Sequence, residues 1–312
     1  MPRARCNNVD IEYEVRGHKG RSTILLIMGL GTQLVAWPDT LLDGLVNRGF
    51  RVVRFDNRDV GLSSKIEGTE TPDIGAAIRD AIGGRPVNAP YKLKDMAADT
   101  VALFDALDVD TAHIVGISMG GAIAQIIAAD YPERTRSLVS IMSSSGRPGL
   151  ALGTPEAMEV LFAPKPPAGD REAAIAHSLK TYRVIGSPGY AMTEADLRKW
   201  IARGYDRSYY PAGGLRQLLA ILAAGSRLEL LRRIKAPTLV MHGADDPLVP
   251  VEGGIDTADN IAGAKLLVIP GMGHDLAEGL MPLWTNAIAE HCQNADKEAA
   301  RVTPEKRSGL FG

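Results

Sequence analysis

Ser118 is the residue around which chemistry can be assembled in this chain. It lies in Gly116-Ile117-Ser118-Met119-Gly120, between an apolar run, Ala112-His113-Ile114-Val115, and a helix-like stretch from Gly121 to Ile127. A strand, a sharp turn and a helix in that order hold a serine hydroxyl up at the C-terminal edge of a sheet. The turn is strained, so small residues must flank the serine where strand and helix backbones crowd together. A hydroxyl is a weak nucleophile at neutral pH: a base must take its proton, and a carboxylate must hold that base in the right tautomer. Both partners follow in the sequence. The run Thr238 to Met241 leads into His242-Gly243-Ala244-Asp245-Asp246-Pro247, and Leu266 to Ile269 leads into Pro270-Gly271-Met272-Gly273-His274. Each candidate sits just past the C-terminal end of a strand, the sheet edge that also presents Ser118.

Among the six histidines, His274 is the preferred base, because glycines on either side of Met272 let its loop carry an imidazole over the serine. His113 falls inside the central strand and reads as a packed core residue. His242 sits at a strand end, and His18, His177 and His291 fall in a turn, a helical segment and the last helix. Asp246 precedes a proline, which restricts it to an extended conformation and fixes the turn leaving the strand. It is the preferred acid, with Asp245 stabilising that turn, although two adjacent aspartates keep the choice open. A tetrahedral oxyanion needs two preorganised donors. The Met119 amide at the start of the helix is one, favoured by the helix dipole, and the Leu30 amide in Gly29-Leu30-Gly31 is the other.

The elements that must hold these residues alternate. Thr23 to Met28, Val52 to Phe55, Thr238 to Met241 and Leu266 to Ile269 are apolar runs of the kind that form parallel strands covered on both faces. Val9 to Val15 alternates with period two, as in a half-exposed edge strand. Asp95 to Leu107 places Met96, Val101, Phe104 and Leu107 near one face of a helix, and Leu276 to Cys292 carries a second periodic set. The pattern predicts an α/β fold with a doubly wound, mostly parallel sheet. From about Arg147 to Leu231 no strand signal stands out, and this stretch holds five of the eight tyrosines and Trp200. It reads as a helical cap (147–231) inserted into a core formed by residues 1–146 and 232–293, with a charged C-terminal tail, 294–312, frayed or loosely docked. Tyr182, Tyr190, Tyr205, Tyr209, Tyr210 and Trp200 are candidates to line an apolar pocket. Taken singly, each reads first as packing cap helices together.

Composition narrows the partners. A net charge of −2 over 312 residues gives no electrostatic case for nucleic acid or an anionic membrane. Cys6 and Cys292 stand near opposite ends, which argues against a disulfide framework or a thiolate metal site, and no metal or cofactor is expected. The polar start shows no apolar signal segment, and no apolar stretch approaches a membrane span of about 20 residues. The expectation is a soluble, cytoplasmic protein whose partner is a small molecule, with a homodimer as the one protein assembly envisaged.

The chain resembles the serine esterases of the α/β-hydrolase fold. The matching residues are Met28-Gly29-Leu30-Gly31, Gly116 to Gly120, Gly243-Ala244-Asp245-Asp246 and Gly273-His274. Asp56-Asn57-Arg58-Asp59-Val60-Gly61-Leu62-Ser63 also resembles a D-x-R-x-x-G-x-S turn of that family, where the Asp and Arg stabilise the turn, so Arg58 is not expected to be catalytic. Leu26-Ile27-Met28-Gly29, Trp37-Pro38-Asp39 and Gly271-Met272-Gly273-His274 are similar to the aclacinomycin methylesterase subgroup, over most of residues 7–292. The resemblance implies a carboxylesterase working through an acyl-enzyme, with Gly29, Trp37, Tyr182 and Trp200 at the substrate. Small to medium esters are the expected substrates, and the methyl ester of a bulky natural product is the narrower one. A C–C bond hydrolase or lactonase using the same residues, and a ligand-binding receptor on the same scaffold, are the alternatives. Many relatives carry His-Gly where this chain has Met28-Gly29. A backbone donor survives that change, and the pocket becomes more apolar.

Overall fold

Each apolar run becomes a strand in the computed structural model, which describes residues 2–67 and 73–302. Among those residues the strands are β1 (Arg3–Cys6), β2 (Val9–Arg16), β3 (Thr23–Ile27), β4 (Arg51–Phe55), β5 (Ala112–Ile117), β6 (Thr135–Ile141), β7 (Thr238–Gly243) and β8 (Lys265–Ile269). They form one sheet in the order β1-β2-β4-β3-β5-β6-β7-β8, parallel from β4 to β8, with β1 and β2 added antiparallel. The helices are α1 (Asp39–Asn47), α2 (Ile74–Ile82), α3 (Leu93–Ala106), α4 (Met119–Asp130), α5 (Pro155–Phe162), α6 (Arg171–Ile185), α7 (Glu194–Arg207), α8 (Pro211–Ala224), α9 (Leu228–Leu231), α10 (Val251–Asp259) and α11 (Met281–Val302).

Alternate side chains of one strand serve two cores, because successive residues point to opposite faces of a sheet. Leu25 and Ile27 of β3 pack with Met96, Phe104, Ile123 and Ile127 of α3 and α4. Ile24 and Leu26 pack on the other face with Leu41, Leu45, Trp284 and Ile288 of α1 and α11. This is the doubly wound arrangement, with β5 and its serine near the centre. Between β6 and β7 the chain forms only helices, α5 to α9 and a short 3-10 turn at Pro188–Tyr190.

Three local expectations change. β2 is not the edge: β1 pairs outside it, and Arg3 and Arg5 meet Glu12 and Asp10 across the ladder. A strand of alternating arginines has no apolar run to betray it. β8 is not covered on both faces. It ends the sheet, leaving Leu266 and Val268 exposed. Residues 294–302, read as part of a frayed tail, continue α11, with Ala295 buried and Asp296 bonded to Arg136 and Ser22. Residues 303–312 of that reading lie outside the described residues.

The tightest joint in the fold is the turn around Ser118. Its φ of 53° and ψ of −120° are unusual for a residue with a Cβ, a strained geometry kept only where surroundings impose it. They do so here: the Ser118 amide donates to the Ile141 carbonyl of β6, and strand and helix touch at Gly116 and Gly120. A Cβ on Gly116 would stand 2.1 Å from the Gly120 carbonyl oxygen, and one on Gly120 would stand 2.2 Å from that of Ile27. Backbone atoms cannot move aside cheaply. Gly120→Ala is therefore expected to destabilise the protein by about 3 kcal/mol or more, read as a lower denaturant midpoint or as loss of folded protein. A midpoint equal to wild type would show that the joint yields.

Candidate active site

β5 and α4 deliver Ser118, the loop after β7 delivers Asp246, and the loop after β8 delivers His274. The three meet. His274 Nε2 lies 3.0 Å from Ser118 Oγ, and His274 Nδ1 lies 2.7 Å from Asp246 Oδ2. A carboxylate only accepts, so Nδ1 carries the imidazole proton and Nε2 is left to accept from the serine hydroxyl. Asp246 is itself held by its other oxygen: Oδ1 accepts from the amides of Leu248 and Val249. Asp246 and His274 are buried, while Ser118 keeps some accessible surface.

Asp245 points elsewhere. Its exposed carboxylate accepts from the Gly271 amide at 2.7 Å, tying the loop after β7 to the loop after β8. His242 lies within β7, fully buried, with Nε2 2.7 Å from the Val249 carbonyl and 3.7 Å from Asp246 Oδ2. Burial holds its pKa below the usual histidine range. A neutral ring that close to the carboxylate does not compete with His274 for it. His113 is fully buried between Ser22 and Ser137.

The loop after β3 closes the other side of the serine. A Cβ on Gly29 would stand 3.3 Å from Ser118 Cβ and 3.9 Å from its Oγ, so this residue must stay small for a substrate to approach. The next amides have different fates. Gly31 donates to Gln217 Oε1 at 2.8 Å, and Thr32 donates to the Gly29 carbonyl. Among the described residues the Leu30 amide meets no protein acceptor. Met119 is the first residue of α4, where an amide has no intrahelical partner and the helix dipole favours negative charge. Gln217 was not visible as a site residue in the sequence. Buried on α8, it also donates to the Arg58 carbonyl, and so locks the loop from the helical insertion.

A cavity of about 150 Å³ opens beside this loop, between it and the insertion. Tyr182 and Trp200 line it, stacked edge to face with centroids 5.0 Å apart. Burial pushes the Tyr182 phenol up to about 12, with the Asp275 charge adding to the effect, so it faces the cavity as a neutral hydroxyl. Tyr205, Tyr209 and Tyr210 also line the wall, whereas Tyr190 packs against Gly271 and Gly279. Ser118 and His274 stand beside the cavity rather than in its wall. Trp37, expected at the substrate, is instead fully buried. It follows the 3-10 turn Leu34–Ala36 and packs into the core against α1 and α11. Its motif reports packing beneath the site rather than contact with it.

Arg58 forms a two-pronged pair with buried Asp99, at 2.6 and 2.7 Å. Asp56 accepts from the Leu34 and Leu62 amides and from Arg207. Both members of that turn are occupied in holding it. Among the described residues no helix is long and apolar enough to cross a membrane, and no cluster of metal-ligating side chains occurs.

A doubly wound sheet with a serine at the strained turn after its central strand defines a class, and the comparisons agree. The chain belongs to the alpha/beta hydrolase fold family, whose model matches residues 22–278. It is similar to rhodomycin D methylesterase DauP of Streptomyces sp. (strain C5), 26% identical over 93% of this chain and 97% of that protein. It is also similar to 2-hydroxymuconate semialdehyde hydrolase of Pseudomonas sp. (strain CF600), 27% identical over 61% of this chain and 65% of that one. The solved meta-cleavage product hydrolase CumD of Pseudomonas fluorescens IP01 superposes with a TM-score of 0.74, covering 95% of this chain and 98% of its own, at 18% identity. That last likeness concerns the fold alone.

Proposed function

We propose that the protein is a serine carboxylesterase that hydrolyses small to medium carboxylic esters through an acyl-enzyme. The observation that carries the reading is the unbroken run of short contacts from Asp246 Oδ2 through His274 to Ser118 Oγ. Ser118 attacks the ester carbonyl as His274 Nε2 takes its proton, and Asp246 stabilises the imidazolium that forms. Charge gathering on the carbonyl oxygen is met by the Leu30 and Met119 amides. His274 returns the proton to the departing alcohol, then takes one from water, which attacks the acyl-enzyme and frees the acid. The helices between β6 and β7 act as a cap, with Tyr182 and Trp200 contributing its substrate-facing wall.

Similarity to a methylesterase along nearly the whole chain favours esters over other acyl compounds, and it puts a methyl ester of a bulky natural product among the substrates to try. The partial similarity to a semialdehyde hydrolase gives a second reading, cleavage of a C–C bond beside a ketone by the same residues. A panel of p-nitrophenyl esters from acetate to long acyl chains, run beside a vinylogous dioxo acid, separates them. The esterase reading expects turnover of esters of short to middle length and little of the dioxo acid. Turnover confined to the dioxo acid would replace it with the C–C reading.

A further inference from the structure

Among the described residues the cavity wall carries one amine, Lys165, and no carboxylate lines the wall beside it. Lys165 lies in the loop between α5 and α6, in the run Pro164-Lys165-Pro166-Pro167. A following proline holds Lys165 extended and the preceding one has its own φ fixed, so the loop backbone has little freedom. Tyr209 pins the same loop by donating to the Pro166 carbonyl at 2.7 Å. Lys165 is an exposed residue, and it contributes to the cavity wall. Its ammonium lies against the backbone at Gly31 and Gly214, and desolvation there pushes its pKa below the usual lysine range.

Two glycines border its tip, Gly31, whose φ of 64° itself favours glycine, and Gly214. Nζ would stand 3.3 Å from a Cβ placed on Gly31, and 3.3 Å from one on Gly214. Gly214 is instructive because it lies within α8, where glycine costs about 1 kcal/mol relative to alanine. Its neighbour Gly213 is required by the Asp59 carbonyl, 2.0 Å from a Cβ there, but around Gly214 the nearest atom is Nζ itself.

Among the described residues Lys165 has no hydrogen-bond acceptor or carboxylate partner, and the cavity wall holds no Asp or Glu. The wall offers hydroxyls from Thr32, Ser178, Tyr182 and Ser208, and the His177 imidazole, whose pKa burial and the nearby Lys165 hold down. An ammonium facing a wall without carboxylates gains a charge-assisted partner from an incoming anion. Gly31 beside Nζ and Gly29 beside Ser118 Oγ are two residues apart, at most about 7 Å between Cα atoms. Lys165 helps to form the wall of the cavity beside which Ser118 stands, so a molecule spanning that loop would meet both.

We infer that Lys165 is an anion-recognising subsite, and that the substrates are esters whose acyl part ends in a free carboxylate, half-esters of dicarboxylic acids. The inference rests on the esterase reading for its chemistry, but binding tests it separately. Wild-type and Lys165→Met protein are assayed with p-nitrophenyl half-esters of glutaric, adipic and suberic acids, each against the neutral p-nitrophenyl ester of equal chain length. Wild type is expected to favour the charged ester at one or more lengths. Lys165→Met should lower the charged-to-neutral ratio of kcat/KM by about tenfold or more, through KM, as loss of uniform binding does. Lys165→Arg should keep most of the preference. Adipate titrated calorimetrically into Ser118→Ala protein, with and without Lys165→Met, reads the subsite without turnover. A ratio unmoved by Lys165→Met while neutral esters turn over overturns the subsite and leaves the esterase. Adipate binding that depends on Lys165 in a protein inert to every ester keeps the subsite and overturns the esterase.

Discussion

Ser118→Ala is expected to lower kcat/KM for any ester the protein hydrolyses by at least about 10⁴-fold. In the proposed mechanism the size follows from what is lost: His274 and Asp246 are left to act on water alone, while the proposed oxyanion donors, the amides of Leu30 and Met119, remain. The fold should survive. Alanine keeps the Cβ already accommodated at a φ of 53°, and the hydroxyl contact removed is that with His274. Thermal and denaturant midpoints should stay within about 1 kcal/mol of wild type. Retention of ester hydrolysis by a folded Ser118→Ala protein would sink the mechanism outright.

The second large effect separates two adjacent residues. Asp246→Asn is expected to cost about 10³–10⁴-fold in kcat, and Asp245→Asn less than about tenfold. The asymmetry comes from hydrogen-bond polarity. Oδ1 of Asp246 accepts from two amides, Leu248 and Val249, so an asparagine must place its carbonyl oxygen there. Its NH₂ then faces His274 Nδ1, which can receive that hydrogen only as an acceptor. The imidazole proton moves to Nε2, and the nitrogen facing Ser118 can no longer take the serine proton. Asp245 holds only the Gly271 amide, at the surface, and an asparagine oxygen can take over that role. Stopped assays of kcat with circular dichroism on both variants make the comparison, and equal losses would assign the acid incorrectly.

What could be read from the sequence depended on whether a signal was local. The central strands are apolar runs, and the turn at Ser118 is a spacing of small residues, so both are visible within a dozen residues. β1 is invisible for the converse reason: its arginines are neutralised by Glu12 and Asp10 only after pairing. Gln217, Lys165 and His177 belong to the same class. On α8, Gln217 follows Arg216, whose partner Asp59 lies 157 residues away, and nothing in its own surroundings marks it as a brace for the loop at Gly31. Lys165 between prolines did offer a signal, a stiff and extended presentation of one amine, but its meaning needed the cavity. Trp37 shows the opposite failure. The resemblance of Trp37-Pro38-Asp39 to an esterase subgroup located it near the site, and only packing revealed that it faces the core.

The end of α6 grips the histidine loop. The His274 amide donates to the Ile185 carbonyl at 2.7 Å, Ser187 bonds Asp275 and receives the Gly273 amide, and the Gly189 amide donates to Gly271. The segment that lines the cavity is thus also the splint of the proposed general base. Modularity ends there: a chimera that imported a relative's pocket by exchanging everything between β6 and β7 would import a foreign splint as well, and with it a misplaced imidazole. Recombination joints placed so that Ile185 to Gly189 stay with their own histidine loop would let specificity be inherited without the chemistry being disturbed.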